Sequence, residues 1–292
     1  MPGTAFQQRL QDSRPLIMGI LNITPDSFSD GGAFLAPEAA LEQARTLLAE
    51  GADLLDIGGE STRPGADPVP AAVQLQRVLP VIRALRTHLP AACLLSIDTT
   101  RSEVADAALT EGVDIVNDVS AATDDPAMLA LLARRDCPVI LMHRQGRDSK
   151  TMQDNPRYEQ TTTEVRDYLL DRARQAERLG IRPEHIILDP GIGFGKRRED
   201  NLELMACLTA IVAPGYPVLL GASRKRFMGA ICQEEDPKQL VGATVATTVL
   251  GVMQGVRIFR VHDVKPNRQA ADVTAQILAS GKWRGHPGRV VG

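Results

Sequence analysis

Short apolar runs that end in polar residues recur along this chain, separated by stretches with helical spacing. The first run, Leu16 to Leu21, sets five apolar residues around Gly19 and then breaks into Asn22, Thr24, Pro25, Asp26, Ser27 and Ser29. This reads as a short buried strand followed by an ordered polar loop. Ala36 to Glu50 follows with strong helix formers, Pro37 early in the helix and Gly51 placed to end it. Leu54 to Ile57 runs into Gly58, Gly59, Glu60 and the loop STRPGA. The next helix carries Val78, Ile82, Leu85 and Leu89 on one stripe. Leu94 to Ile97 delivers Asp98 and Thr99, and after a helix from Ser102 to Glu111, Ile115 and Val116 deliver Asn117 and Asp118. A brief helix around Pro126 to Arg135 precedes Val139 to Met142 and His143.

The second half repeats the scheme. Tyr158 to Leu179 has Val165, Tyr168, Leu169, Ala176 and Leu179 on one face, and Ile186 to Leu188 then deliver Asp189 and the stretch DPGIGFGK. A helix near Leu202 to Val212 leads to Val218 to Leu220, which deliver Ser223, Arg224, Lys225 and Arg226. The largely apolar helix Leu240 to Met253 precedes Val256 to Val261, which brings Arg260 and His262, and a last helix holds Ala270, Val273 and Ile277. Residues 1–15 read as an N-terminal extension and 281–292 as a C-terminal tail flanking one domain, 16–280.

Eight strand-then-helix units without a composition break predict a parallel sheet wrapped by helices, and eight is the number that closes a (β/α)8 barrel, the TIM-barrel class of α/β fold. With the strand ends placed at Asn22, Glu60, Asp98, Asn117, His143, Asp189, Ser223 and His262, the shortest interval is 19 residues, enough for a compact helix and a strand. An open doubly wound sheet is the rival, but its usual Gly-x-Gly-x-x-Gly turn after the first strand is missing.

Composition narrows the function classes. The 292 residues are 43% apolar and 24% charged, which allows a sizeable core. A net charge of −3 argues against a general nucleic-acid partner, so an anionic ligand must meet a local cluster of cations. Cys93, Cys137, Cys207 and Cys232 are widely spaced, as expected of reduced thiols, and the five histidines show no metal-ligand spacing. Leu16 to Ile23 is too short for a signal peptide and lacks a cleavage site. Leu240 to Met253 spans only about 21 Å as a helix against a membrane core of about 30 Å. A cytoplasmic protein is expected, with no membrane partner.

In a barrel the C-terminal strand ends converge on one mouth. Collected there, Asp98, Asn117 and Asp189 supply acceptors and an amide suited to a planar heterocycle with several N–H donors. Ser61, Thr62, Arg63, Arg260 and His262 suit a phosphate or pyrophosphate. Each piece also has an ordinary reading. Asp98 and Asp263 could be helix N-caps, Asp189-Pro190-Gly191 a plain turn, and SRKR a solvated face. GIGFGK lacks the Lys-Ser/Thr ending of a phosphate-gripping loop.

The segments MGILNITPDSFSDGG, DIGGESTRPGA, SIDTTRSEV, DIVNDVSA, LMHRQG, ILDPGIGFGK, LLGASRKRFMG and RIFRVHDV run from about residue 16 to 264 and resemble the dihydropteroate synthase family. The resemblance implies a (β/α)8 barrel, usually homodimeric, that joins 6-hydroxymethyl-7,8-dihydropterin diphosphate to 4-aminobenzoate, releases pyrophosphate and is a target of sulfonamides. By matching motif it places the pterin against Asp98, Asn117, Met142, Asp189, Phe194 and Lys225. It places pyrophosphate among Asn22, Ser61, Thr62, Arg63, Arg260 and His262, with Mg2+ held by phosphate oxygens and Asn22. Phe28, Thr62, Pro64, Phe194, Ser223 and Lys225 would surround the aminobenzoate, its carboxylate near Ser223.

Asp98, Lys225, Arg260 and His262 carry the implied chemistry, in which departing pyrophosphate is bound more strongly as its charge grows and Asp98 offsets positive charge on the pterin methylene. Asn22 belongs to the fixed mouth, and Thr24 to Gly32 to a mobile lid carrying Phe28. Arg144 departs from the family pattern, which often has an uncharged residue after Met-His. The uncharged helix Leu240 to Met253 is expected at or near a subunit contact, or else under the C-terminal segment. Two rivals remain: the pterin-binding domain of corrinoid methyltransferases, which leaves the STRPGA and SFSDGG loops without a purpose, and a Schiff-base aldolase using Lys225, which its arginine neighbours disfavour.

Overall fold

A computed structural model describes residues 2–23, 36–61, 65–146 and 151–281. Its strands are β1 (Leu16–Asn22), β2 (Leu54–Gly58), β3 (Leu94–Asp98), β4 (Ile115–Asp118), β5 (Val139–Met142), β6 (Ile186–Asp189), β7 (Leu219–Leu220) and β8 (Ile258–Val261). The helices described are α1 (Pro2–Gln11), α2 (Ala36–Ala49), α3 (Ala71–His88), α4 (Ser102–Thr110), α5 (Met128–Arg135), α6 (Thr161–Arg178), α7 (Arg198–Ala206), α8 (Leu208–Val212), α9 (Arg226–Cys232), α10 (Val241–Met253) and α11 (Val264–Ala279). All strand pairs are parallel, in the order β6-β5-β4-β3-β2-β1-β8-β7. A bridge between Leu188 and Val218 joins β6 to β7 and closes the ring, giving the (β/α)8 barrel.

The strands are buried on both faces, which is why they read as near-continuous apolar runs instead of alternating ones. Inward-facing Met18, Leu54, Leu94, Ile115, Ile140, Ile187, Leu219 and Ile258 fill the base of the barrel, while the intervening residues pack outward against the helices. Residues 2–11, where the apolar pattern predicts no element, form α1, and its fully buried Phe6 joins the basal layer. Arg257 ties this segment down by donating to the carbonyl oxygens of Leu10, Asp12, Ser13 and Arg14.

Several boundaries differ from the sequence pattern. The stretch Leu202 to Val212 begins four residues earlier as α7, because the Asp200 carboxylate accepts from Arg197 N at 2.8 Å, and it breaks at Cys207 into α8. β8 starts at Ile258, because Gly255, with φ of 89°, terminates α10 and Val256 N returns to Gly251 O. Residues 226–232 form α9, where the sequence shows only a basic run.

The face of the last helix also differs. Ala270, Val273 and Ile277 have helical spacing, yet Val273 is 60% and Ile277 49% exposed. The buried side of α11 is instead Val264, Asn267, Arg268, Ala271 and Thr274. Arg268 crosses to Pro15 O and Asp53, both at 2.9 Å, and Asn267 accepts from Thr248 of α10 at 2.7 Å. Polar contacts therefore set the orientation of α11. In α10, Thr244, Thr248, Gly251 and Val252 face inward, leaving Leu250 and Met253 exposed. Among the described residues no helix is long and apolar enough to cross a membrane. The C-terminal segment beyond residue 281 lies outside the described residues.

Candidate active site

Strand register assembles the first part of the mouth. Asn22 is level with Gly58, Gly58 with Asp98, and Asp98 with Asn117, so four neighbouring strands present one row of inward positions. On the other side Met142 is level with Asp189. Glycine at position 58 keeps the row open: a Cβ there would lie 3.3 Å from Asn22 Oδ1 and 3.9 Å from Asp98 Cβ.

Arg260 rises from β8 into the centre of this row. Its Nε donates to Asp56 Oδ2 at 2.6 Å and its Nη2 to Asp98 Oδ2 at 2.9 Å, while Asn117 Nδ2 donates to the same Asp56 oxygen at 3.1 Å. Asp56 is fully buried, as charged groups in interiors are only when paired. It is the residue of this row that sequence reasoning missed. Its signal was a carboxylate inside the otherwise apolar LLDIG, two residues before Gly58 and hence on the same inward face. The N-cap reading of Asp98 is excluded, since its carboxylate goes to Arg260 and the cap position of α4 is Arg101.

The pairings leave acceptors open. Asp98 Oδ1 is buried without a hydrogen-bond partner, as are Asp56 Oδ1 and Ser96 Oγ. Orphaned buried acceptors call for a donor. Burial pushes the Asp98 carboxyl up to about 7, with Asp56 and Asp118 adding to the rise and Arg260 opposing it. Asp189 is held at about 6 by burial, against the Gly191 N–H bonded to its Oδ1 at 2.8 Å and the charge of Lys225. Asp118 also sits at about 6 through burial, offset by Ser120.

The run SRKR divides by direction. Ser223 is buried, and its Oγ lies 3.0 Å from His262 Nδ1 while accepting from His262 N at 3.2 Å. The hydroxyl expected beside the aminobenzoate carboxylate is thus engaged by His262. Arg224, with φ of 58°, turns away to pair with Asp263 at 2.6 Å, so Asp263 is not a side-chain N-cap. Lys225 turns in, its Nζ 3.9 Å above the Phe194 ring. Burial and the neighbouring Arg260 lower its pKa to about 8, against Asp189 and Asp98. Only Arg226 is the solvated residue that a basic run predicts.

Glu60 is held by the segment that follows β2. Its carboxylate accepts from Val69 N at 3.0 Å and Gln74 Nε2 at 2.7 Å. Arg144 pairs with Asp124 at 2.5 Å. Phe28, Thr62, Arg63 and Pro64, with the Thr24 to Gly32 segment, lie outside the described residues.

The strap from Gly191 to Lys196 fits only because of its glycines. A Cβ on Gly191, at φ 66°, would come within 1.9 Å of His143 O. Gly191→Ala is therefore expected to destabilise the protein by at least about 2 kcal/mol, measured by denaturant unfolding.

Comparison with known proteins places the chain in a family. The family model described as "Pterin binding enzyme" matches residues 18–262. Dihydropteroate synthase of Synechocystis sp. is 45% identical over 271 residues, covering 93% of this chain and 91% of that protein. Among solved structures, the Xanthomonas albilineans dihydropteroate synthase with 4-aminobenzoic acid is 44% identical, with a TM-score of 0.85 over 92% of this chain and 94% of that one. The Yersinia pestis enzyme in a sulfonamide drug complex is 39% identical, with a TM-score of 0.85 over 91% and 95%. The chain thus belongs to the pterin-binding enzyme family, among the dihydropteroate synthases, which are transferases.

Proposed function

We propose that this chain condenses 6-hydroxymethyl-7,8-dihydropterin diphosphate with 4-aminobenzoate, giving 7,8-dihydropteroate and pyrophosphate. The observation that carries the reading is the row Asp56–Arg260–Asp98–Asn117, with its open Asp98 Oδ1, facing Asp189 and Lys225 across one mouth. Asp98, Asn117 and Asp189 take the pterin edge and Met142 lines its slot, while Phe194, at the boundary of that slot, and Lys225 above its ring face the aminobenzoate. The methylene C–O bond breaks, its electron pair leaving with pyrophosphate. The arylamine nitrogen then forms the C–N bond and gives up a proton. Ionised Asp98 offsets positive charge on the methylene, and Arg260, Lys225 and His262 meet the growing negative charge of the leaving group.

The donors present suit a Mg2+ carried by phosphate. Asn22 offers one amide oxygen at the mouth, and no group of three His, Cys, Asp or Glu placed to hold a metal occurs among the described residues. Such an ion would supply charge neutralisation at the diphosphate, with Asn22 as its protein ligand. Phe28, Thr62, Arg63 and Pro64 complete the proposed substrate contacts together with Ser61. The relatives bound to 4-aminobenzoic acid and to a sulfonamide favour the same second site and drug class here.

Pyrophosphate release from the pterin diphosphate, measured with and without 4-aminobenzoate, tests the reading. Release that does not depend on aminobenzoate overturns it. A homodimer across the exposed Leu250, Met253, Val273 and Ile277 of α10 and α11 is also proposed, and a solution mass of one chain would exclude it. The cytoplasm is the proposed compartment, in keeping with four free cysteines, two of them buried.

A further inference from the structure

Phe194 and Lys225 meet at 3.9 Å, but Phe194 stands on a strap with three left-handed glycines, Gly191, Gly193 and Gly195, at φ of 66°, 81° and 60°. Glycines in that region give the backbone many alternatives, so something outside the strap must select one. Three successive carbonyls, those of Gly193, Phe194 and Gly195, are each taken by a side chain. Gln153 Nε2 donates to Gly193 O at 2.8 Å, Lys196 Nζ to Phe194 O at 3.1 Å, and Tyr158 Oη to Gly195 O at 2.7 Å.

Lys196 is the central pin. It is only 4% exposed, and its remaining donors go to His143 Nδ1 at 2.9 Å and His143 O at 3.2 Å. An ammonium has three N–H donors and no acceptor, and here three acceptors from two loops receive them. Burial, with Lys225, lowers its pKa to about 7 against Asp189 and Asp200, so the three-donor ammonium is the form present at neutral pH and below. Those two acidic residues and Lys225 are the charged groups acting on it. His143 is a firm anchor. Its ring meets Tyr168 edge-on at 4.9 Å, its amide donates to Asp189 O at 3.0 Å, and burial with the Lys196 charge keeps the imidazole neutral, so that Nδ1 accepts where Lys196 is the donor-only ammonium. Neither Lys196 nor His143 has a role in the reaction proposed above.

We propose that Lys196 is a positioning residue for the second-substrate half of the site: by tying the Phe194 carbonyl to His143 at the end of β5, it fixes the Phe194 ring beneath the Lys225 ammonium. The inference rests on the reading that Phe194 and Lys225 receive 4-aminobenzoate. A buried cation without a carboxylate hydrogen bond adds little to stability by itself, since desolvation offsets much of what its hydrogen bonds contribute. Placement of the strap is a role that a neutral side chain could not fill with three donors.

The test is Lys196→Met in the full-length protein, with KM measured for each substrate. The KM for 4-aminobenzoate is expected to rise about tenfold and that for the pterin diphosphate less than about threefold. In a Phe194→Ala background the same substitution should add less than about twofold, because its effect runs through that ring. Tyr158→Phe, which loosens the next carbonyl, should act in the same direction more weakly, and it carries the test if Lys196→Met does not fold.

A second readout needs no reaction. With 13Cε-labelled lysine, the Lys225 NMR resonance, assigned through Lys225→Arg, should carry a ring-current displacement that Lys196→Met removes. A folded Lys196→Met protein with unchanged aminobenzoate KM and unchanged Lys225 resonance overturns the proposal. Equal rises in both KM values with a parallel fall in Tm also overturn it, as the mark of a merely structural role. Should the wild-type reaction ignore aminobenzoate, the functional reading fails, and the Lys225 resonance still decides whether Lys196 positions Phe194.

Discussion

Arg260→Met is expected to lower turnover at least about a thousandfold, equivalent to about 4 kcal/mol of transition-state stabilisation, and to reduce stability by about 3–5 kcal/mol. Both losses come from one geometry. The guanidinium is the partner of two carboxylates, Asp56 at 2.6 Å and Asp98 at 2.9 Å, and Asp56 is wholly buried. Methionine keeps much of the volume but leaves those groups inside the barrel without their cation, the most costly way to break a buried ion pair. It also withdraws the charge proposed to meet departing pyrophosphate. Denaturant unfolding and steady-state pyrophosphate release measure the two effects separately. A variant that unfolds like the wild type would show that Asp56 and Asp98 do not depend on Arg260.

Asp98→Asn is expected to separate chemistry from stability. Turnover should fall by about a hundredfold or more, because an amide carries no negative charge to set against a cationic methylene. Stability should change by less than about 1 kcal/mol, since an Asn oxygen can still accept from Arg260 and a desolvated charge is removed. The pH dependence follows from the raised pKa. Asp98 at about 7 lies above an unfolded carboxyl near 4, so between those values the native state binds more protons than the unfolded state. Its contribution to stability is therefore present at low pH and is lost as pH rises through about 7. Activity runs the other way. In the proposed reaction the ionised form is the useful one, so kcat/KM for the pterin diphosphate should decline as pH falls through about 7 in the wild type. In Asp98→Asn that limb should vanish, leaving the one set by Asp189 at about 6. An unaltered pH profile in the variant would assign the limb to another group.

The strand-then-helix alternation was legible because its cause is local. Each strand is covered on both faces and each helix on one, so apolar spacing marks the elements directly. Much of the ring of strand ends was legible for the same reason, since a polar residue closing an apolar run commonly faces the mouth, although His143 turns to Tyr168 and Lys196 instead. Asn22, Asp98, Asn117, Asp189, Arg260 and His262 all stand at the C-terminal ends of their strands or just beyond. Where reading by spacing failed, long-range polar contacts had displaced it. Val273 and Ile277 have the spacing of a buried stripe, but Arg268 and Asn267 turn the opposite side of α11 inward by bonding to Pro15, Asp53 and Thr248.

By itself, the sequence determined the barrel and where its strands end, since burial periodicity and chain order fix both. Only the tertiary structure decided how those residues are wired. Asp56 meets Arg260 across 204 positions of sequence, Asp98 meets it across 162, and Lys196 meets His143 across 53. No local pattern encodes such pairings. They exist because closing the ring brings distant strand ends within hydrogen-bond reach in a dry interior, where every charge must find a partner.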